Sequence, residues 1–118
     1  MNIPAAKPSP RISNGVIYFY QGDTFELVLT LNLYGDNDAQ YIIASDDTVT
    51  VNFYDDTDEL VDYQTFSNIE DNKITLDFDS ETTAKFGKGK YYYHVVLNSD
   101  SKTTIVAKNR LVTEDKYE

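Results

Sequence analysis

His94 is the single histidine of this chain, and a histidine-based nucleophile–base pair would have to use it. It stands mid-strand in GKYYYHVVL, between Tyr93 and Val95. No serine elbow precedes it, and there is no cysteine to pair with. By parity it points away from the residues expected in the core, so it reads as a surface or inter-domain histidine. Carboxylates cluster at Asp36/Asp38, Asp46/Asp47, Asp55/Asp56/Asp58/Glu59 and Asp77/Asp79/Glu81. Calcium needs several oxygens gathered by one loop, and none of these clusters has the EF-hand order of acids, central Gly and final Glu. They read as solvated turn residues, although β-sandwich modules can bind calcium where inter-strand loops converge. A glycosidase pair needs two carboxyls roughly 5–9 Å apart, one with a raised pKa, and the spacing offers no sign of it. No catalytic, cofactor-binding or metal-ligating residue is assigned. The sequence reads as a non-enzyme without a cofactor.

The ten tyrosines are the stronger signal. Tyr18, Tyr20, Tyr54, Tyr63, Tyr92 and Tyr93 fall in expected strands, and some must face outward by parity. Tyrosine offers a large contact area at low rotamer cost, which suits a protein interface, the rim of a core, or a carbohydrate platform. Charge narrows the partners. A net charge of -10 argues against nucleic acid, whose phosphates are bound by clustered Lys and Arg. No Lys or Arg occurs between Arg11 and Lys73, an interval holding thirteen Asp or Glu. This reads as a solvated acidic surface or, if the interval occupies one end of the fold, as an acidic pole that would repel like-charged neighbours or favour a basic partner. Apolar runs fall far short of the roughly 20 residues of a membrane helix, so no membrane insertion is expected. The opening MNIPAAKPSPR lacks the order of a signal peptide, and synthesis in a cytosol is expected.

The elements that must position these residues are strands. At 118 residues the chain has the length of one domain. Residues 1–15, with Pro4, Pro8 and Pro10, read as an N-terminal arm, 16–114 as a β-sandwich domain, and 115–118 as a charged tail. Thr24–Leu33 alternates most clearly, with Phe25, Leu27, Leu29, Leu31 and Leu33 facing one way and Glu26, Val28, Thr30 and Asn32 the other. Further strands are expected at Val16–Tyr20, Thr48–Tyr54, Leu60–Phe66, Lys73–Phe78, Lys88–Leu97 and Lys102 to about Thr113. The last two form a long hairpin about Asn98–Ser101. Tyr41-Ile42-Ile43-Ala44 is a brief edge strand or a loop plug. One helical turn is expected near residues 80–86, capped by Asp79 or Ser80, placing Ala84 and Phe86 over the end of the core. About seven strands with no long helix imply two antiparallel sheets packed face to face.

YFYQGDTFELVLTLNL (18–33), VTVNFYDD (49–56) and NKITLDFDSETTAKFGKGKYYYHVVL (72–97), followed by KTTIVAKNRLVTED, carry a family resemblance. Together they resemble the N-terminal immunoglobulin-like domain of bacteriophage baseplate upper proteins and related phage tail or baseplate modules. The likeness rests on the aromatic-x-Gly-Asp-x-x-x-Leu opening and on the GKYYYHVVL strand after a Ser-Glu-Thr-Thr-Ala turn. It implies an all-β, immunoglobulin-like antiparallel β-sandwich. It also implies a non-enzymatic structural protein of the virion, made in the bacterial host cytoplasm. Its partners would be other phage structural proteins, and it would be a homo-oligomer. Members of that family often continue into a helical linker and further domains, whereas this sequence stops at Glu118. A carbohydrate- or cell-surface-binding sandwich of the adhesin kind is the alternative.

Overall fold

The computed structural model describes residues 10–34, 39–100 and 102–114. The expected arm before Pro10, the tail after Glu114, and Asp36 and Asp38 lie outside them. The chain forms β1 (Arg11–Ser13), β2 (Val16–Tyr20), β3 (Phe25–Thr30), β4 (Thr48–Tyr54), β5 (Leu60–Phe66) and β6 (Lys73–Phe78). A helical turn α1 (Ser80–Ala84) follows, then β7 (Gly89–Ser99) and β8 (Lys102–Glu114). One sheet has the order β1-β2-β8-β7-β4-β5, and β3 pairs with β6 in a second. This is an all-β, mostly antiparallel domain with one short helical turn.

Two expectations need correction. β1 lies inside the stretch read as an arm, so eight strands form among the described residues rather than about seven. The cause is local: Asn14 (φ 51°) and Gly15 (φ 79°) both adopt the left-handed conformation that a two-residue hairpin loop needs. The turn is pinned from outside as well. Asn109 Nδ2 donates to the Asn14 carbonyl at 3.1 Å, and the Tyr93 hydroxyl donates to the Gly15 carbonyl. A Cβ on Gly15 would meet the Asn109 side-chain amide, which can move aside, so the positive φ is what calls for glycine. The second correction concerns direction. β2 pairs with β8 in parallel, Ile17 opposite Leu111 and Tyr20 opposite Glu114, so the fold is not purely antiparallel.

The core lies where the apolar faces of the two sheets meet. Ile17, Phe19, Val49, Val51, Phe53 and Val95 come from the six-stranded sheet, and Ile74, Leu76 and Phe78 from β6, all with almost no exposure. Phe78 is central: its ring centroid lies 4.7 Å from Phe25, 5.5 Å from Phe19 and from Phe53, and 6.1 Å from Phe86. α1 closes one end. Asp79 caps it, its carboxylate accepting from Thr82 N at 2.8 Å, which holds the Asp79 carboxyl below the usual carboxylate range. Phe86 is buried as expected, but Ala84 is exposed and Thr83 takes the inner position, with its hydroxyl donating to the Asp79 carbonyl at 3.1 Å.

Two side chains make ties that no strand supplies, Gln64 between the sheets and Asn72 to a connecting loop. Gln64 on β5 reaches the open edge of β6, donating to the Asp77 carbonyl at 2.8 Å and accepting from Asp77 N at 3.0 Å. It meets a backbone donor and acceptor that a neighbouring strand would otherwise satisfy. Asn72, 3% exposed and at φ 54°, does the same for the long 34–48 connection. It accepts from Ile43 N at 2.9 Å and donates to the carbonyls of Tyr41 (2.8 Å) and Leu31 (3.2 Å). Ile43 is thereby held as a plug, 5% exposed, and the 41–44 stretch is a loop plug rather than a strand.

Asp47 secures the far side of that loop. It is buried and accepts from the Tyr41 hydroxyl at 2.6 Å and from Ala44 N at 2.9 Å. The Tyr41 bond, then the Ala44 amide, hold its carboxyl below the usual range. A depressed folded pKa contributes stability that is present above the unfolded value of about 3.9 and lost as pH falls through the folded value. The stability gap between wild type and Asp47→Asn should therefore be constant from about pH 5 to 8 and shrink below about pH 4. Urea midpoints across that range check it, and a gap independent of pH would refute the role of the charge.

Candidate functional site

The outward face of the six-stranded sheet gathers most of the residues that the sequence singles out. Strand pairing places them in rows. Tyr63, Asn52, His94 and Lys108 form one row across β5, β4, β7 and β8. Tyr54, Tyr92 and Arg110 form the next, and Thr65, Thr50, Val96 and Ile105 a third. Alternation puts all of these on the side opposite Val51, Phe53 and Val95. Tyr63 is 60% exposed, Ile105 50% and Tyr92 38%.

His94 sits in the middle of this face, its ring 4.7 Å from that of Tyr54. Burial first, then the charge of Lys108, lower its pKa, with Asp58 opposing. The imidazole is therefore neutral near pH 7. Across the ladder it faces Asn52 and Lys108, with no Ser or Thr hydroxyl in either position. What the structure gives it is ring packing against Tyr54.

From the carboxylate clusters, Asp47, Asp55 and Asp79 organise local turns. Asp55 Oδ1 accepts from Thr57 Oγ1 (2.7 Å), Thr57 N (2.8 Å) and Glu59 N (3.0 Å), which holds its carboxyl below the usual range and shapes the β4–β5 connection. Asp47 and Asp79 are engaged as described. No group of three or more possible metal-binding side chains occurs among the described residues, and none of their helices is long and apolar enough to cross a membrane.

The tyrosines divide. Tyr20 and Tyr93 are buried, Tyr18 and Tyr54 half-buried, and Tyr63 and Tyr92 exposed. Tyr18 packs under the Arg11 guanidinium, whose carbon lies 4.5 Å from the ring centroid. Charge is uneven across the face. Asp58 and Glu59 lie at the β5 end, while Lys90, Lys108 and Arg110 lie on β7 and β8.

The chain matches no known family model, curated protein or solved structure. The case for a site rests on this geometry.

Sequence reading missed Asn72, Gln64 and the Tyr41–Asp47 pair. Gln64 is one polar residue in a half-polar strand, and only the sheet pairing reveals what it faces. Asn72 left a trace: it ends a turn directly before a strand, a place where Asn tolerates positive φ.

Proposed function

We propose that this chain is an immunoglobulin-like β-sandwich serving as a non-enzymatic structural module of a phage tail or baseplate. In this reading it binds other virion proteins, and copies of itself, through the outward face of the six-stranded sheet. The observation that carries the reading is that face: Tyr63, Tyr92 and Ile105 stand exposed on a continuous, hydrogen-bonded sheet rather than on loops. Rigid aromatic anchors on a preorganised surface suit a protein partner, because little side-chain entropy is lost on docking. The sandwich reading is supported by β3–β6 facing the larger sheet across a shared aromatic core, and by the terminal parallel pair β2·β8.

Tyr63→Ala combined with Tyr92→Ala should leave folding nearly unchanged, because both rings are solvent-facing. Association with tail or baseplate components should weaken by about 1–2 kcal/mol per ring. Native mass spectrometry and co-sedimentation with virion particles measure this. A wild-type chain that stays monomeric and binds no virion protein would sink the proposal. The exposed rings of Tyr63 and Tyr92 also motivate the carbohydrate-platform alternative. A glycan array giving a hit that the same double variant loses would favour it.

A further inference from the structure

β8 is much longer than the strand beside it. β2 covers only Leu111–Glu114, so among the described residues no strand pairs with the outer edge of Lys102–Arg110. The other end of the same sheet is guarded. β5 turns Asp62 inward, where Lys85 meets it at 3.1 Å, and β5 is offset by a bulge at Phe53/Tyr54, both common ways of blunting an edge. The β8 edge carries a bulge too, at Val106 in its β7 pairing, but its central run is Thr-Thr-Ile-Val-Ala, a stretch of high strand propensity.

Beside this edge, on the core side of the hairpin, lies a groove of about 530 Å³ lined by Leu33, Tyr34, Tyr41, Leu97 and Val106, with Lys102 among its polar residues. An unpaired edge next to an apolar groove is the arrangement used for strand addition. The ladder supplies affinity and the groove accepts alternate side chains. Charge selects the occupant. Lys102, Lys108 and Arg110 lie on β8, and no carboxylate occurs from Lys102 to Thr113, in a chain of net charge -10. Asp100, at the hairpin tip, is the one acid lining the groove among the described residues. Pairing with the same edge of a second copy, centred on Ile105, would set Lys102 against Lys108, and like charges opposite each other repel.

We infer that the Lys102–Lys108 edge of β8 accepts an extended acidic segment of another polypeptide as an added antiparallel or parallel strand. The edge shares Ile105 and Lys108 with the outward face but not Tyr63 or Tyr92, so the double tyrosine variant tells the two readings apart. The probes are two synthetic peptides, one alternating Val and Thr with Glu at both ends, the other identical but ending in Lys. Amide hydrogen exchange of the full chain is followed by NMR. The acidic peptide should slow exchange at the outward amides of Thr103–Ala107 at least tenfold at low salt, and less at high salt. The Lys-ended peptide should not. Lys102→Glu combined with Lys108→Glu should reverse the preference, and Lys73→Glu should leave it unchanged. No slowing by the acidic peptide, or equal slowing by both, would overturn the inference. So would protection that rises with protein concentration alone alongside a dimer mass, since a second copy would then be the occupant.

Discussion

Asn72→Ala should lower the unfolding free energy by about 3–5 kcal/mol, the largest loss expected from any single polar side chain here. The change removes one acceptor and two donors in a site 3% exposed, orphaning Ile43 N and weakening what holds the carbonyls of Leu31 and Tyr41. A buried group left without a partner costs about 1–3 kcal/mol, and alanine at φ 54° adds about 1 kcal/mol of backbone strain. Asn72→Gly separates the two effects, because glycine accepts that φ while still losing the side-chain bonds. Urea denaturation of both variants gives the comparison. If Asn72→Gly were as stable as wild type, backbone conformation rather than the three hydrogen bonds would be what the residue supplies.

Phe78→Ala should cost about 3–5 kcal/mol, a large part of the 5–15 kcal/mol that holds a typical domain together. Phe78 is fully buried and touches rings from both sheets and from the segment after α1, so its removal opens a cavity that no single element can close. Phe25→Ala should cost less, since that ring is only partly buried at the core margin and can be replaced in part by water. Equilibrium unfolding in urea checks the order, with near-UV circular dichroism reporting the loss of fixed aromatic packing. A Phe25 variant less stable than the Phe78 variant would move the centre of the core towards β3.

The difference between these residues explains what was legible beforehand. Phe78 announces itself, because Ile74, Leu76 and Phe78 alternate with Lys73, Thr75 and Asp77, and a period of two is the mark of a strand with one buried face. By the same logic β4 and β6 begin and end where alternation places them, while β5, which does not alternate cleanly, still spans its expected residues. Alternation reports which face is buried, not which strand lies alongside. The parallel β2·β8 pair and the addition of β1 therefore left no periodic trace. At the helical turn, Thr83 rather than Ala84 points inward, because its hydroxyl finds the Asp79 carbonyl and so can be buried at little cost. Of the candidate site, the alternate residues Tyr92, His94 and Val96 were readable on one strand. Their alignment with Tyr54, Tyr63 and Ile105 depends on register, and register is a property of the assembled sheet.

Arg11 and Glu114 form an ion pair of 2.7 Å, with a quarter of each side chain exposed, because β1 runs back along β2 while β2 and β8 run the same way. Chain leading into β1 and chain leading out of β8 therefore connect at one pole. The β7–β8 tip, with Asp100 and the open edge, stands at the other pole, about 40 Å away at the usual rise per strand residue. A fold with adjacent ends can be joined to a neighbouring polypeptide through both connections without being stretched. Tethered at Arg11 and Glu114, this domain would hold its hairpin outward like a lever with a fixed base.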